Sequence, residues 1–239
     1  MIKTPAIVIW TLKYGDSSLI ANCYTKKDGL KSYMLNGVLK SKKTGIKKAL
    51  FQPFNLINII SDHRRKEGLN YIKEVSINKH LGSIHNSISK TTITLFLSDV
   101  LKSVLQEEGG ENESLYDFLE TMTLWLDSNN SNANFHIKFL IELTRYMGFY
   151  PNISNNNYEY FDMLTGCFTN NNNSKNILSG KNLNSFKEIL GMNFDEIKLL
   201  KWNNSIRNSL LNEIIRYYSL HLQRFKTPKS LSVLHEIFK

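Results

Sequence analysis

Apolar and polar residues alternate along the first third of the chain in the manner of short β-strands. Five such segments are Ala6–Leu12, Ser18–Tyr24, Leu30–Asn36, Pro53–Ile60 and Asn70–Ile77. Gly15-Asp16 and Asp28-Gly29 lie between the first three and favour tight turns. Five short strands at this spacing predict a small closed barrel of OB type over residues 1–78. An SH3-like barrel is the alternative that periodicity leaves open.

From about Leu81 the apolar period becomes that of a helix. Between Ile93 and Leu105 apolar residues recur at the i, i+3, i+4, i+7 spacing of a core-facing stripe. Ser114 precedes a second helix, and Asp117 is placed to complete a start that resembles a capping box. Further helices are predicted over Asn134–Gly148, Ile206–Leu222 and Pro228–Phe238. The chain is therefore predicted to be an α+β multidomain protein, with an all-α domain over residues 79–239.

One stretch, Asn152–Lys181, interrupts the helical pattern. It contains two asparagine tracts, Asn155–Asn157 and Asn170–Asn173, which are typical of loops. Between the tracts, Tyr158–Phe168 alternates weakly. We expect a hairpin or an extended strand there, inside an otherwise helical domain.

Charge is divided unequally between the two predicted domains. The chain has a net charge of +9, but the first 80 residues contain 15 Lys and Arg against 5 Asp and Glu, a net of +10. The remaining residues have a net charge of −1. A compositional bias towards lysine would affect both parts equally, so the asymmetry indicates a polyanionic partner for the barrel.

Motifs for catalysis are missing from the sequence. There is no glycine-rich phosphate loop, nucleophile elbow or paired-histidine metal motif. Asp195 and Glu196 are adjacent and would diverge on a helix, so they do not form a paired site. We expect a protein that is not an enzyme.

The sequence also bears on the cellular location of the protein. No apolar run reaches the length that spans a membrane. Met1–Pro5 does not match a signal peptide, and two cysteines cannot form a disulfide framework. We therefore expect a cytoplasmic protein without membrane contacts.

The densest charge lies in the segment Leu39–Ala49, called here the basic loop. Its lysines are interleaved with Ser, Thr and Gly, which suits a flexible polycation that tracks phosphates without reading bases. The predicted DNA-binding residues are Lys40, Lys42, Lys43, Lys47 and Lys48. The alternative is a solvated loop that keeps the protein soluble.

Aromatic residues of the barrel are candidates for stacking on the bases of a single strand. They are Tyr24, Tyr33, Phe51, Phe54 and Tyr71. For Phe51 and Phe54 a position in the core is the stronger expectation.

Several of these segments, taken in order, resemble the RecO family of bacterial recombination and DNA-repair proteins. Ala49–Phe54, a Leu-x-Pro-Phe type segment directly after a basic loop, is the most specific of them. The others are Ala6–Ile9, Tyr14–Ser18, Tyr24-Thr25, Gly29-Leu30, Gly37, Phe139–Leu143, Met147–Phe149, Tyr217-Tyr218, Leu222 and Pro228–Ser230.

The resemblance implies an N-terminal OB barrel and a C-terminal helical domain. Family members bind single- and double-stranded DNA, anneal complementary strands and work with a ring-forming partner, RecR. Together these proteins help to load the RecA recombinase onto DNA covered by single-strand-binding protein. The resemblance thus implies a DNA-binding recombination mediator, associated with the nucleoid, with its barrel-side DNA contact at the basic loop.

In some members the helical domain also docks the acidic, Phe-ended C-terminal tail of single-strand-binding protein. Such a tail needs an apolar pocket beside cations. By position in the resembling segments, Lys138 and Arg216 are the predicted tail-binding residues, and the helical pattern adds Arg145 and Arg207.

The chain departs from the family pattern at a zinc finger that many members have. The corresponding segment, residues 152–176, contains only Cys167, and one thiolate cannot complete a tetrahedral zinc site. We expect a degenerate zinc-finger region over residues 152–181, no structural zinc and no cofactor. Two other hypotheses stay open: a pure protein adaptor, and an RNA-binding barrel protein.

Overall fold

A computed structural model describes residues 1–40, 47–62, 68–107, 110–130 and 133–237 of the chain. The protein divides into two compact units, Met1–Asn129 and Asn130–Lys239. Strands give way to helices near residue 80, inside the first unit. The predicted domain boundary at residue 78 stays a prediction.

A five-stranded closed barrel forms the core of the first unit. Its strands are β1 (Ile2–Tyr14), β2 (Ser18–Thr25), β3 (Gly29–Leu35), β4 (Leu56–Ser61) and β5 (Leu69–Lys79). They follow one another round the barrel in the order β1-β2-β3-β5-β4, with β3 and β5 parallel and the other pairs antiparallel. This is the order of an OB barrel, so the predicted fold class is confirmed.

The fourth strand begins later than predicted. Its predicted start, Pro53, is followed by Phe54 with φ of 67°, a left-handed conformation that cannot continue a strand. The Phe54 amide donates to Val8 O at 2.7 Å, and the strand starts at Leu56. Phe51 ends a short 3-10 helix, Lys48–Phe51. Phe51 and Phe54 are both buried, which confirms their expected position in the core.

Two helices complete the first unit: α1 (Ile88–Glu107) and α2 (Glu113–Ser128). The first packs on β1, where the Ser98 hydroxyl donates to Ile9 O. The second is capped by Asn112, whose side-chain oxygen accepts from Leu115 N at 2.9 Å. The predicted capping role of Ser114 is therefore wrong, because α2 begins at Glu113 and Ser114 lies inside its first turn.

An acidic side chain fixes the connection between β5 and α1. The carboxylate of Asp127, at the end of α2, accepts from the backbone amides of Gly82, Ser83 and Ile84 at 2.8–2.9 Å. Lys90 Nζ lies 2.8 Å from Asp127 O and donates to it. Burial of Asp127 raises its pKa, but these hydrogen bonds outweigh burial and hold the pKa below its usual value.

The turn before β3 tolerates no side chain at Gly29. Its φ is +63°, and a Cβ at this position would collide with the carbonyl oxygen of Gly110. At Gly15, in the turn between β1 and β2, φ is +58° but no atom lies within 4 Å of the Cβ position.

The second unit combines helices with a small antiparallel sheet. Its helices are α3 (Phe135–Tyr146), α4 (Gly180–Leu190), α5 (Asn204–His221) and α6 (Leu231–Ile237), and its strands are β6 (Tyr160–Asp162), β7 (Cys167–Thr169) and β8 (Ile177–Leu178). The hairpin β6–β7 overlaps the predicted Tyr158–Phe168 segment and extends one residue beyond it, to Thr169. In the described ranges, no helix is both long and apolar enough to cross a membrane.

Ring packing joins the small sheet to the helices. The Phe161 ring lies 5.1 Å from Phe168, 5.0 Å from Phe186 on α4 and 5.9 Å from Tyr217 on α5, measured between centroids. We call these four residues the aromatic cluster. Aromatic pairs at such distances stabilise a core beyond the area that they bury.

Candidate nucleic-acid interface

The basic loop begins against the turn between β1 and β2. Leu39 N donates to Ser17 O at 2.9 Å, and Gly37 N donates to Ser18 Oγ at 3.4 Å. Lys40 follows with its Nζ 3.8 Å from Asp16 Oδ2, and both side chains are exposed. An exposed pair of this length contributes little energy, so the Lys40 ammonium stays available to a phosphate.

The basic loop ends at the short 3-10 helix, which is held in place by the side chain of Asn55. Asn55 Nδ2 donates to Ala49 O at 2.8 Å and to Leu50 O at 3.1 Å. Asn55 Oδ1 lies 2.7 Å from His85 Nε2, in a third hydrogen bond. Lys47 and Lys48 are exposed at the start of this helix. The backbone that presents them is therefore fixed while their ammonium groups face solvent.

A groove of about 360 Å³ lies beside these lysines. One wall comes from β1 and β2, close to the turn that contacts the start of the basic loop, and the other comes from the 3-10 helix and the residues after it. The lining residues are Thr11, Leu19, Lys48, Ala49, Phe51, Gln52 and Pro53. Lys40 and Lys48 thus both border the hairpin β1–β2.

Three of the five predicted DNA-binding lysines can be placed. Lys40, Lys47 and Lys48 are exposed at the two ends of the basic loop. Lys42 and Lys43 lie outside the described residues.

The aromatic residues predicted to stack on bases differ in their exposure to solvent. Tyr24, Tyr33 and Phe54 are buried in the barrel, so their rings cannot stack on a base in this conformation. Phe51 is buried as well, at 2% exposed, and reaches the surface only where it lines the groove. Tyr71 is 61% exposed. Sequence reasoning missed Tyr14, which is 56% exposed at the end of β1, directly before the turn that carries Asp16. Its position next to Gly15 was the available signal.

Two of the predicted tail-binding cations meet at one carboxylate. Lys138 Nζ lies 2.7 Å from Glu142 Oε1, and Arg145 Nε lies 2.6 Å from Glu142 Oε2. The Lys138 side chain is only 4% exposed and also donates to Ile189 O at 3.3 Å. Arg145 is half-exposed, with its guanidinium 3.4 Å from the centroid of the Tyr150 ring. Of the two, Arg145 is the one that solvent reaches.

The other two cations have separate partners. Arg216 donates to Lys175 O and to Asn176 Oδ1, both at 3.0 Å. Arg207 donates to Trp202 O and to Asn204 Oδ1. A cavity of only about 10 Å³ is lined by Glu213, the ion-pair partner of Arg216, and by apolar side chains that include Phe161, and it is too small for a phenylalanine ring.

A buried histidine lies in the second unit. His136 on α3 is 2% exposed, and burial lowers its pKa to about 3, helped by the nearby charges of Arg207 and His235. It is therefore neutral at physiological pH. In the described part of the chain, no group of three or more His, Cys, Asp or Glu side chains could hold a metal ion.

Comparison with known proteins covers almost the whole chain. Residues 1–80 match the family model described as "Recombination protein O N terminal", and residues 85–231 match "Recombination protein O C terminal". The chain is 40% identical over 238 residues to DNA repair protein RecO of Christiangramia forsetii, covering 100% of this chain and 99% of the relative. It is 42% identical over 237 residues to the protein of that name from Flavobacterium psychrophilum, covering 99% of both. With the corresponding protein of Bacteroides fragilis it shares 37% over 240 residues, 99% of this chain and 98% of the relative.

Proposed function

This chain belongs to the RecO family, and from that premise we propose that it is a DNA-binding recombination mediator in DNA repair. It binds single- and double-stranded DNA through the barrel, anneals complementary strands and helps to load RecA onto DNA covered by single-strand-binding protein. It acts at the nucleoid by binding alone, without catalysing a reaction. RecR and the tail of single-strand-binding protein are its protein partners.

The observation that carries this proposal is the placement of charge on the barrel. The excess positive charge belongs to the first 80 residues. Within the basic loop, Lys48 lines the groove and Lys40 lies beside the β1–β2 turn. Phosphate contacts of this kind supply sequence-independent affinity and fast encounter. A mediator that acts on any damaged sequence needs this mode of binding.

The salt dependence of binding tests the barrel site. For single strands, log K falls with log salt by roughly 0.7 per phosphate contacted. Replacing Lys40, Lys47 and Lys48 together by alanine should therefore flatten the slope by about 2. An unchanged slope would remove the ends of the basic loop from the DNA site.

A charge-matched control separates the site from net charge. Lys181, Lys198 and Lys201 are exposed in the second unit, and their replacement by alanine removes the same charge. This control should keep the slope of the original chain. Equal flattening in both triple variants would show that general charge, not the basic loop, governs binding.

Strand annealing separates the proposal from its two alternatives. Mixing complementary oligonucleotides with the protein should accelerate duplex formation at low salt. A pure protein adaptor would be inert in this assay, and an RNA-binding protein would prefer RNA in competition with DNA of equal length.

The partner tail can be tested with a synthetic acidic peptide that ends in phenylalanine. Arg145 and Arg216 are the appropriate residues to replace by alanine, because both are about half-exposed on the second unit. Each replacement should weaken peptide binding several-fold, since charge-assisted contacts to carboxylates are lost. Lys138 is less suitable, because its side chain is buried against Glu142 and Ile189 O and solvent does not reach it.

A further inference from the structure

The groove beside the 3-10 helix has two chemically different parts. Its floor is apolar, formed by Leu19, Phe51 and Pro53, of which Leu19 and Phe51 are almost fully buried. Its rim is polar, with the Lys48 ammonium and the Gln52 carboxamide both exposed. An apolar floor below a cationic rim suits a ligand that is flat and uncharged at one end and anionic at the other.

The size of the groove agrees with a small ligand. About 360 Å³ lies at the lower end of the roughly 300–1,000 Å³ that is usual for small-molecule sites. It has room for one planar ring system but not for a double helix. One wall is held by the β1–β2 backbone ladder and the other by hydrogen bonds from the Asn55 side chain to backbone carbonyls, so the groove is preformed.

We propose that this groove accepts a single unpaired nucleobase of the bound strand, with the flanking phosphates on Lys40 and Lys48. The inference rests on the proposed DNA-binding function and refines it. The base packs on Leu19, Phe51 and Pro53, and its polar edge faces the Gln52 carboxamide, which can donate and accept. Because the carboxamide offers both roles at one point, the site holds any base without selecting a sequence.

Such a site distinguishes single strands from duplexes. In a duplex the bases are stacked and paired inside the helix, so no whole base can enter the groove unless it is flipped out. A single strand can offer phosphates and one base together. The groove therefore adds affinity to the single strand alone, above the electrostatic affinity that both forms share.

A groove-filling variant tests the proposal. Thr11→Ile combined with Ala49→Leu fills the groove with aliphatic groups, changes no charge and introduces no new ring for a base to stack on. The hydrogen bonds from Asn55 go to backbone carbonyls and survive the change at Ala49. Ser76→Leu is the control, because Ser76 is exposed on β5 and does not line the groove.

The ligands are an oligo-dT strand, an abasic strand with the same number of phosphates, and a duplex. The original chain and the control should bind oligo-dT about tenfold more tightly than the abasic strand, since one base held on protein side chains contributes roughly 5- to 160-fold. The filled variant should lose this preference and keep its duplex affinity. Its salt slope should be unchanged, because its lysines are intact.

Three outcomes decide between the possibilities. A filled variant that keeps the tenfold preference would overturn the base site while leaving DNA binding in place. Equal loss of oligo-dT and duplex affinity would also overturn it, because the groove would then act on phosphates or on folding. If the original chain binds none of the three ligands at low salt, the proposed function itself fails.

Discussion

Phe161 is the centre of the aromatic cluster, and its replacement measures how far the small sheet depends on ring packing. The segment around Phe161 contains one cysteine, Cys167, which is half-exposed and cannot by itself complete a zinc site. Phe161 is 1% exposed and pairs with three other rings. We therefore expect aromatic packing, without metal, to hold β6 and β7 on the helices.

The magnitude follows from the contacts. Phe161→Leu keeps most of the buried apolar area but loses three ring pairs, each contributing about 0.5–1.5 kcal/mol, so we expect a loss of about 2 kcal/mol. Phe161→Ala also leaves a cavity next to the small existing one, and should cost about 4 kcal/mol. Tyr160→Leu, on the same strand but half-exposed, is the control and should cost less than about 1 kcal/mol.

The assay is urea unfolding followed by circular dichroism, with and without a strong chelator, together with elemental analysis. The chelator should leave the free energy of unfolding unchanged, and no stoichiometric zinc should be found. One bound zinc per chain, or a chelator effect above about 1 kcal/mol, would refute the reasoning. So would a Phe161→Ala variant that unfolds with the stability of the original chain.

Three further predictions concern stability. His136 stays neutral in the folded state down to about pH 3, whereas the unfolded chain protonates it below about pH 6.5. The free energy of unfolding should therefore decrease as the pH is lowered through this interval, by about 2 kcal/mol at pH 5 in urea titrations. His136→Leu should lack this pH dependence. Asp127→Asn should cost about 1–2 kcal/mol at pH 7, measured the same way, because a charged acceptor of backbone amides is lost. Gly29→Ala should lower the free energy of unfolding by about 2–3 kcal/mol and Gly15→Ala by about 1 kcal/mol, since only the first adds a collision to the strained φ.

Each of these predictions has a contradicting result. Equal pH dependence with and without His136 would assign the acid sensitivity to other groups. For Asp127, the lowered pKa means that the contribution is present above the pKa of the unfolded carboxyl and disappears on acidification; a cost that persists at pH 2 would point to lost packing instead. Equal costs at the two glycines would show that the turn beside Gly110 relaxes freely.

The barrel could be predicted from the sequence because its turns and alternation are local signals. The start of β4 could not, because the left-handed conformation of Phe54 depends on its hydrogen bond to Val8, a residue far away in sequence. The N-cap of α2 could not be predicted for a simpler reason. Asn112 and Ser114 are both good capping residues, and only the geometry of the chain selects between them.

In the candidate site, too, some residues could be predicted from local sequence signals and others could not. The basic loop could be located without a structure, because the positions of its lysines are read directly from the sequence. Whether an aromatic ring can stack on a base depends on its burial, which the sequence does not show. Tyr24 and Tyr33 belong to a core that closes only when all strands are present. For Lys138 a local signal existed: Glu142 follows at i+4, the spacing of a helical ion pair.

The parallel pairing of β3 and β5 closes the barrel, and it is short. In the described ranges it comprises three residue pairs, from Ser32 with Leu69 to Met34 with Tyr71. The buried Asn70 reinforces it with one side-chain hydrogen bond to Ser32 O at 3.4 Å. If this seam opens, the barrel becomes a sheet with two unpaired edges, a form that accepts strands from other chains. The seam is thus the place where a local opening of the barrel would expose strand edges to another chain.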